Sequence, residues 1–145
     1  MAVGKDSSET GFFNVQKPVH EMDNNITNLM NKTSISQTWY LINNAAAVIT
    51  MDSGILHLAG TTETPIIELG SPINPEFRRP YRKTSKHIYV RGGCGLHCSS
   101  NMKYALEYWP TIDYVQPLIG CLEKKETFEC HPTVDKVIEC VKINI

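Results

Sequence analysis

The sequence predicts an α/β fold in which a small, mainly parallel sheet is flanked by helices. A short apolar run at residues 46–50 is followed by a helix-like segment at 54–60, and a second apolar run, Ile66–Leu69, begins after Pro65. Two strands joined by a helix in so short a span form a βαβ unit. Its strands are expected to be parallel and its crossover right-handed.

The first helix is predicted to begin at Ser34, since Ser34 and Gln37 have the spacing of a capping box. It is expected to end near the asparagines at 43 and 44, because asparagine tolerates the left-handed conformation found at helix ends. Three apolar residues fall on one face and are predicted to meet the core: Ile35, Trp39 and Ile42.

The remaining elements follow from apolar spacing. In the helix at 54–60, Ile55, Leu58 and Ala59 are predicted to face the core. A third parallel strand is expected at His87–Val90. A last helix is predicted at 132–142, starting with Pro132 as its first residue. Its apolar stripe would comprise Val134, Val137, Ile138 and Val141. Residues 1–27 are poorly patterned, apart from a short strand predicted at 19–22.

Composition excludes several classes of protein. The 145 residues allow one domain-sized core, and the formal net charge of −1 with no extended basic run argues against nucleic-acid binding. The longest wholly apolar run, residues 45–49, is too short to span a bilayer. No signal peptide is recognisable, so a cytoplasmic location is expected. The five cysteines are therefore expected to be reduced or bound to metal.

The candidate binding site lies where the first strand meets the following helix. Asp52, Ser53 and Gly54 stand at this junction, and parallel sheets bind ligands at the carboxyl ends of their strands. Ser53 and Gly54 leave room for a phosphate to approach the backbone, while Asp52 either accepts hydrogen bonds from a ligand or caps the helix. His57, one turn into the helix, either donates to an anionic oxygen or is an ordinary polar helix residue. Gly70 and Ser71, after the second strand, are expected at the same edge.

Two further clusters have alternative interpretations. The basic cluster Arg78, Arg79, Arg82 and Lys83 is either a solvated loop or a contact for phosphate or an acceptor, with Arg78 and Arg79 as the candidates. Four cysteines are candidate ligands for a structural zinc or iron ion, with His97 and His131 as alternative ligands, or else small buried residues: Cys94, Cys98, Cys121 and Cys130. Cys140 lies beside the apolar stripe of the last helix and is predicted to belong to the core.

The segment Asp52-Ser53-Gly54-Ile55-Leu56-His57-Leu58-Ala59 resembles the D-[ST]-G-x-x-H-x-A motif of glycosyltransferase family 9, the ADP-heptose:lipopolysaccharide heptosyltransferases. The proline-led strand that ends at Gly70 and the cysteine-containing tail resemble the family in the same order. The resemblance covers roughly residues 28–141. It divides the chain into a poorly patterned segment, 1–27, and part of a donor-binding domain with a cysteine-containing tail, 28–145.

The resemblance implies a GT-B fold and a donor resembling ADP-heptose. Asp52 would contact the donor sugar, and Ser53, Gly54 and His57 would hold phosphate, with no cofactor needed for catalysis. It also implies that the acceptor-binding domain and the first strands of the donor-binding domain are missing. We therefore expect a nucleotide-sugar-binding module that is not catalytically complete alone and needs a second copy or a partner chain. The alternative is a structural or protein-interaction module without transferase activity.

Overall fold

The computed structural model describes residues 1–4, 25–70, 74–82, 86–94 and 131–145. The chain divides into two compact units, Met1–Leu41 and Ile42–Ile145. In order, the elements are helix α1 (Ile35–Asn43), strand β1 (Val48–Thr50), helix α2 (Gly54–Gly60), strand β2 (Ile66–Leu69), a 3₁₀-helix (Pro75–Phe77), strand β3 (His87–Val90) and helix α3 (Val134–Asn144). Of the predicted elements, the short strand at 19–22 lies outside the described residues.

In the first unit, the amino-terminal residues run beside the segment that precedes α1. Ala2 and Asn28 form an isolated parallel bridge, and Asn31 donates its backbone N–H to the Gly4 carbonyl at 2.8 Å. The predicted capping box at the start of α1 is confirmed. The Ser34 N–H donates to Gln37 Oε1 at 2.9 Å, and the Gln37 N–H donates to Ser34 Oγ at 3.3 Å.

The second unit is built on a three-stranded parallel sheet in the order β1-β2-β3. This confirms the predicted α/β class and is consistent with part of a Rossmann-like domain. Residues paired in neighbouring strands share a face, so Val48, Ile66 and His87 form one row across the sheet, and Thr50, Glu68 and Tyr89 form the next row towards the carboxyl edge.

The core lies where α2 covers this face of the sheet. Leu56 and Ala59 of α2 pack with Ile66 and Ile42, and Val48 lies against them. The Thr64 hydroxyl donates to the Ile42 carbonyl at 2.8 Å, which ties the end of α1 to the start of β2. Of the predicted core residues of α2, Ala59 is buried and Ile55 and Leu58 are partly buried, whereas the fully buried Leu56 was not predicted.

Two predicted helix faces are confirmed only in part. In α1, Ile35 is 78% exposed and Trp39 is exposed as well, while Thr38 and Ile42 are buried. The buried face of α1 therefore contains Thr38 and Ile42, and it excludes the apolar residues of the preceding turn. In α3, Val134 and Ile138 are exposed, and the half-buried residues are Val137, Cys140 and Val141. The half-burial of Cys140 agrees in part with its predicted core position.

Helix α3 also begins later than predicted. Thr133 is its N-cap, with its hydroxyl accepting from the Lys136 N–H at 3.4 Å, so Pro132 precedes the helix instead of opening it. The helix packs against β2 and β3, and Lys136 Nζ donates to the Arg91 carbonyl at 2.6 Å. In the part of the chain that the structure describes, no helix combines the length and apolar character needed to cross a bilayer.

Candidate functional site

The turn between β1 and α2 places three of the predicted site residues together at the carboxyl edge of the sheet. Ser53 has an extended backbone and is the N-cap of α2, although its side chain makes no capping hydrogen bond. Its hydroxyl instead lies 3.2 Å from the Thr50 hydroxyl. Asp52 is therefore not the capping residue, which corrects the structural alternative considered for it.

Asp52 is instead paired with an arginine from a different part of the chain. Arg78 Nε lies 3.8 Å from Asp52 Oδ2, and the two side chains are 55% and 15% exposed, respectively. The distance exceeds that of a charge-assisted hydrogen bond, so this is a loose ion pair at the rim of the sheet. The structure thus brings one of the two arginine candidates to the strand-end site.

The backbone that carries Arg78 is well anchored. The Asn74 side chain accepts from the Glu76 N–H at 3.0 Å, and the Arg78 N–H donates to the Pro75 carbonyl at 3.0 Å. Further along, Arg82 donates to the carbonyls of Thr64 and Thr62 at 3.0 and 2.8 Å. In the described part of the β2–β3 connection, local hydrogen bonds close the 3₁₀ turn before Arg78, and Arg82 after it is bonded to the turn before β2.

Pro80 adds a close packing contact to this connection. A Cβ atom on Gly60, at the end of α2, would lie 2.4 Å from the Pro80 Cβ. Real Cβ atoms do not approach so closely, so only glycine at position 60 lets the β2–β3 connection lie against α2.

Arg79 points elsewhere. Its guanidinium carbon lies 6.0 Å from the centroid of the Tyr89 ring, at the limit of a cation–π contact. The Tyr89 hydroxyl is buried and makes no hydrogen bond to the described part of the chain. Arg79 and Tyr89 therefore form a second polar feature near the carboxyl end of β3.

His57 and Gly70 occupy different surroundings. His57 is exposed on α2, one turn after the Asp52-Ser53-Gly54 turn, as predicted. Gly70 is buried, and a Cβ there would lie 2.9 Å from the Val90 carbonyl oxygen, so close packing against β3 explains this glycine. A role of Gly70 in ligand binding stays a prediction. Ser71 lies outside the described residues.

The cysteine cluster is only partly within the described structure. Cys94 and Cys140 are free and half-buried, whereas Cys98, Cys121 and Cys130 lie outside the described residues. Within residues 1–4, 25–70, 74–82, 86–94 and 131–145, no three potential metal ligands come together. The metal site therefore stays a prediction.

Sequence reasoning missed a buried polar pair below the site. Glu68 lies within the apolar strand β2 and was not among the predicted site residues. It is paired, since His87 Nε2 lies 2.7 Å from its Oε2, and both side chains are buried. The only sequence signal was a glutamate inside an apolar strand, and the register of β2 and β3 was needed to identify its partner.

A three-stranded parallel sheet, with α2 packed on one face and charged and hydroxyl-bearing side chains at its carboxyl edge, defines a protein of the α/β class. The family model described as glycosyltransferase family 9 (heptosyltransferase) matches residues 5–106, and the chain belongs to this family.

Curated relatives agree with this assignment. The chain is 40% identical over 53 residues to lipooligosaccharide heptosyltransferase 2 of Haemophilus influenzae, which covers 37% of this chain and 15% of that protein. It is 36% identical over 66 residues to lipopolysaccharide heptosyltransferase 2 of Salmonella typhimurium and of Escherichia coli, covering 46% of this chain and 19% of each relative. The matched segments are thus less than a fifth of these relatives' length. No solved structure matches the chain significantly.

Proposed function

We propose that this chain binds the diphosphate-bearing donor of a heptosyltransferase, a nucleotide sugar resembling ADP-heptose. The observation that carries the proposal is the Asp52-Ser53-Gly54 turn at the carboxyl edge of the sheet, with the Arg78 guanidinium 3.8 Å from the Asp52 carboxylate. Membership in glycosyltransferase family 9 and the heptosyltransferase names of the relatives support it.

The chemistry of the turn suits both parts of such a donor. A carboxylate accepts hydrogen bonds from sugar hydroxyls, and Asp52 is partly shielded from water, which strengthens such bonds. Arginine is the side chain best matched to phosphate oxygens, and the exposed imidazole of His57, one turn into α2, is a second candidate donor. Ser53 and Gly54 contribute backbone N–H groups and no large side chain.

We further propose that transfer requires parts of the protein beyond those matched here. The aligned segments correspond to 15–19% of the relatives. The described sheet has three strands, and β1 pairs only with β2 among the described strands. Ile49 on β1 is 51% exposed, whereas its neighbour in the same row, Ile67, is fully buried. A second copy or a partner chain would cover this edge.

A cytoplasmic location is part of the same proposal. Donor nucleotides are cytoplasmic metabolites, and the free thiols of Cys94 and Cys140 suit a reducing compartment. A monodisperse monomer in light scattering would contradict the assembly proposed above, and a dimer or larger species would support it.

Calorimetric titration tests the binding proposal. ADP, UDP, GDP and ADP-glucose would be titrated into the wild-type chain and into Asp52→Ala and His57→Ala. Saturable binding of ADP-glucose that both substitutions weaken supports the proposal. Glu63→Ala is the matched control for Asp52→Ala, because Glu63 is an exposed carboxylate in the turn before β2. Folded protein that binds none of these ligands would favour the structural or interaction module instead.

A further inference from the structure

The Asp52–Arg78 pair joins a residue of the Asp52-Ser53-Gly54 turn to a residue of the β2–β3 connection. Its exposure and its distance indicate how the pair can respond to a ligand. Asp52 is 15% exposed and Arg78 is 55% exposed, so the carboxylate is held at the site while the guanidinium extends into solvent. The Nε–Oδ2 distance of 3.8 Å shows that the two charges are close without a short hydrogen bond between these atoms.

We infer that Arg78 exchanges the Asp52 carboxylate for a phosphate group of the ligand, and that this exchange frees Asp52 to accept hydrogen bonds from ligand hydroxyls. This inference rests on the proposed function and deepens it. In this exchange Arg78 binds phosphate. Asp52 becomes free to accept hydrogen bonds from ligand hydroxyls only when phosphate has taken its place at Arg78. A diphosphate would thereby prepare the site for the sugar that it carries.

The exchange requires that the Arg78 side chain changes its rotamer while the backbone of the β2–β3 connection stays in place. Asn74 closes the 3₁₀ turn before Arg78, Arg82 bonds the connection to the turn before β2, and Pro80 lies close against Gly60 of α2. Arg78 therefore can rotate about its side-chain bonds without unfolding the connection. A phosphate within reach of the rotating guanidinium can therefore replace Asp52 as the partner of Arg78 without a change of fold.

The energetics favour the exchange. An ion pair with a solvent-exposed cation and no short hydrogen bond contributes only about 0–1 kcal/mol, so breaking the Asp52–Arg78 pair costs little. A charge-assisted hydrogen bond to phosphate is stronger, and arginine presents two parallel N–H groups to such an anion. Phosphate therefore outcompetes the carboxylate, and the carboxylate that it releases remains at the edge of the sheet, ready for a neutral hydroxyl.

Three probes separate the steps of this exchange: inorganic pyrophosphate, ADP and ADP-glucose, each titrated by calorimetry into the full chain. Arg78→Ala is expected to weaken binding of all three by roughly tenfold or more, the effect of one lost charge-assisted hydrogen bond. Arg78→Lys should restore part of that loss, because it returns the charge without the paired N–H groups. Lys142→Ala, which removes one exposed positive charge from α3, is the control and should change affinity less than twofold.

Asp52→Asn gives the decisive comparison. With Arg78 present, it should tighten pyrophosphate binding by up to about fivefold, since the competing carboxylate is gone. It should weaken ADP-glucose relative to ADP, because the amide is a poorer acceptor for hydroxyls. In the Arg78→Ala background the gain for pyrophosphate should disappear, and this non-additivity is the signature of exchange.

The outcomes distinguish the two proposals. If the wild-type chain binds the probes but Arg78→Ala leaves the affinities unchanged, the exchange is wrong and the proposed function stands. The exchange is also wrong if Asp52→Asn tightens pyrophosphate equally with and without Arg78, since that is simple removal of a repelling charge. If the folded wild-type chain binds no probe, the proposed function fails and the exchange fails with it.

Discussion

The Glu68 carboxylate lies 2.7 Å from the His87 imidazole, and the side chains of the two residues are 2% and 9% exposed. Glu68 pairs with Tyr89 in the sheet, and His87, the first residue of β3, lies two residues before Tyr89 on the same face. Both lie on the face of the sheet that α2 covers, directly below the carboxyl-edge site. The pair therefore joins β2 to β3 inside the core, next to the residues proposed to bind the donor.

Removing one partner of this pair should be strongly destabilising. Glu68→Ala leaves the His87 imidazole buried without its acceptor, and we expect a loss of about 3 kcal/mol in the free energy of unfolding. Replacing both residues with leucine removes both polar groups, and its effect should be much smaller than the sum of the single substitutions. Urea denaturation of the single and double variants measures this, and additive losses would contradict a coupled pair.

The close contact between α2 and the β2–β3 connection makes Gly60 sensitive to substitution. Gly60→Ala would put a Cβ 2.4 Å from the Pro80 Cβ, so the β2–β3 connection must be displaced. We expect the free energy of unfolding to fall by about 1–3 kcal/mol. Gly54→Ala, at the other end of the same helix, meets no atom within 4 Å and is the matched control. Equal unfolding midpoints in urea for the two variants would show that Pro80 does not pack here as described.

Arg82 should act mainly on stability. Its guanidinium donates to the Thr62 and Thr64 carbonyls, so Arg82→Ala removes two hydrogen bonds that hold the turn before β2. We expect a loss of about 1–3 kcal/mol in the free energy of unfolding. Arg82→Lys should recover little of this loss, because a lysine ammonium does not reproduce the two N–H groups that the guanidinium directs at the two carbonyls. Lys86→Ala, an exposed cation just before β3, is the control for charge. Thermal and urea unfolding curves that coincide for Arg82→Ala and Lys86→Ala would refute this role.

The capping box of α1 offers a test in the first unit. Ser34→Ala removes the hydroxyl that accepts from the Gln37 N–H, and we expect the free energy of unfolding to fall by about 1 kcal/mol. Ser36→Ala, exposed within the first turn of the same helix, should be neutral or slightly stabilising because alanine is the better helix former. The difference between the two serine variants, followed by circular dichroism during denaturation, isolates the capping contribution.

The predicted metal site can be tested by elemental analysis. Protein purified without chelators should carry about one zinc or iron ion per chain, the stoichiometry of a four-cysteine site. Cys94→Ser and Cys98→Ser should remove the metal, whereas Cys140→Ser, in α3, should retain it. Metal-free protein with an intact fold would show that the cysteines have another role.

The sequence by itself determined the elements whose signals are local. Helix α2 and strands β2 and β3 begin and end at the predicted residues, because glycine, proline and short apolar runs define such elements within a few positions. The capping box of α1 was equally local. The turn at Asp52, Ser53 and Gly54 was recognised for the same reason, since its residues are contiguous in the chain.

The tertiary structure decided what depends on residues far apart in sequence. The pairing of Glu68 with His87 follows from strand register, the contact of Arg78 with Asp52 follows from the path of the β2–β3 connection, and the need for glycine at position 60 follows from Pro80. The exposure of Ile35 and Val134 shows the same limit, because an apolar pattern marks a helix face but not the surface that covers it. Local propensity acts over a few residues, whereas burial and ion pairing are set by neighbours that only folding brings together.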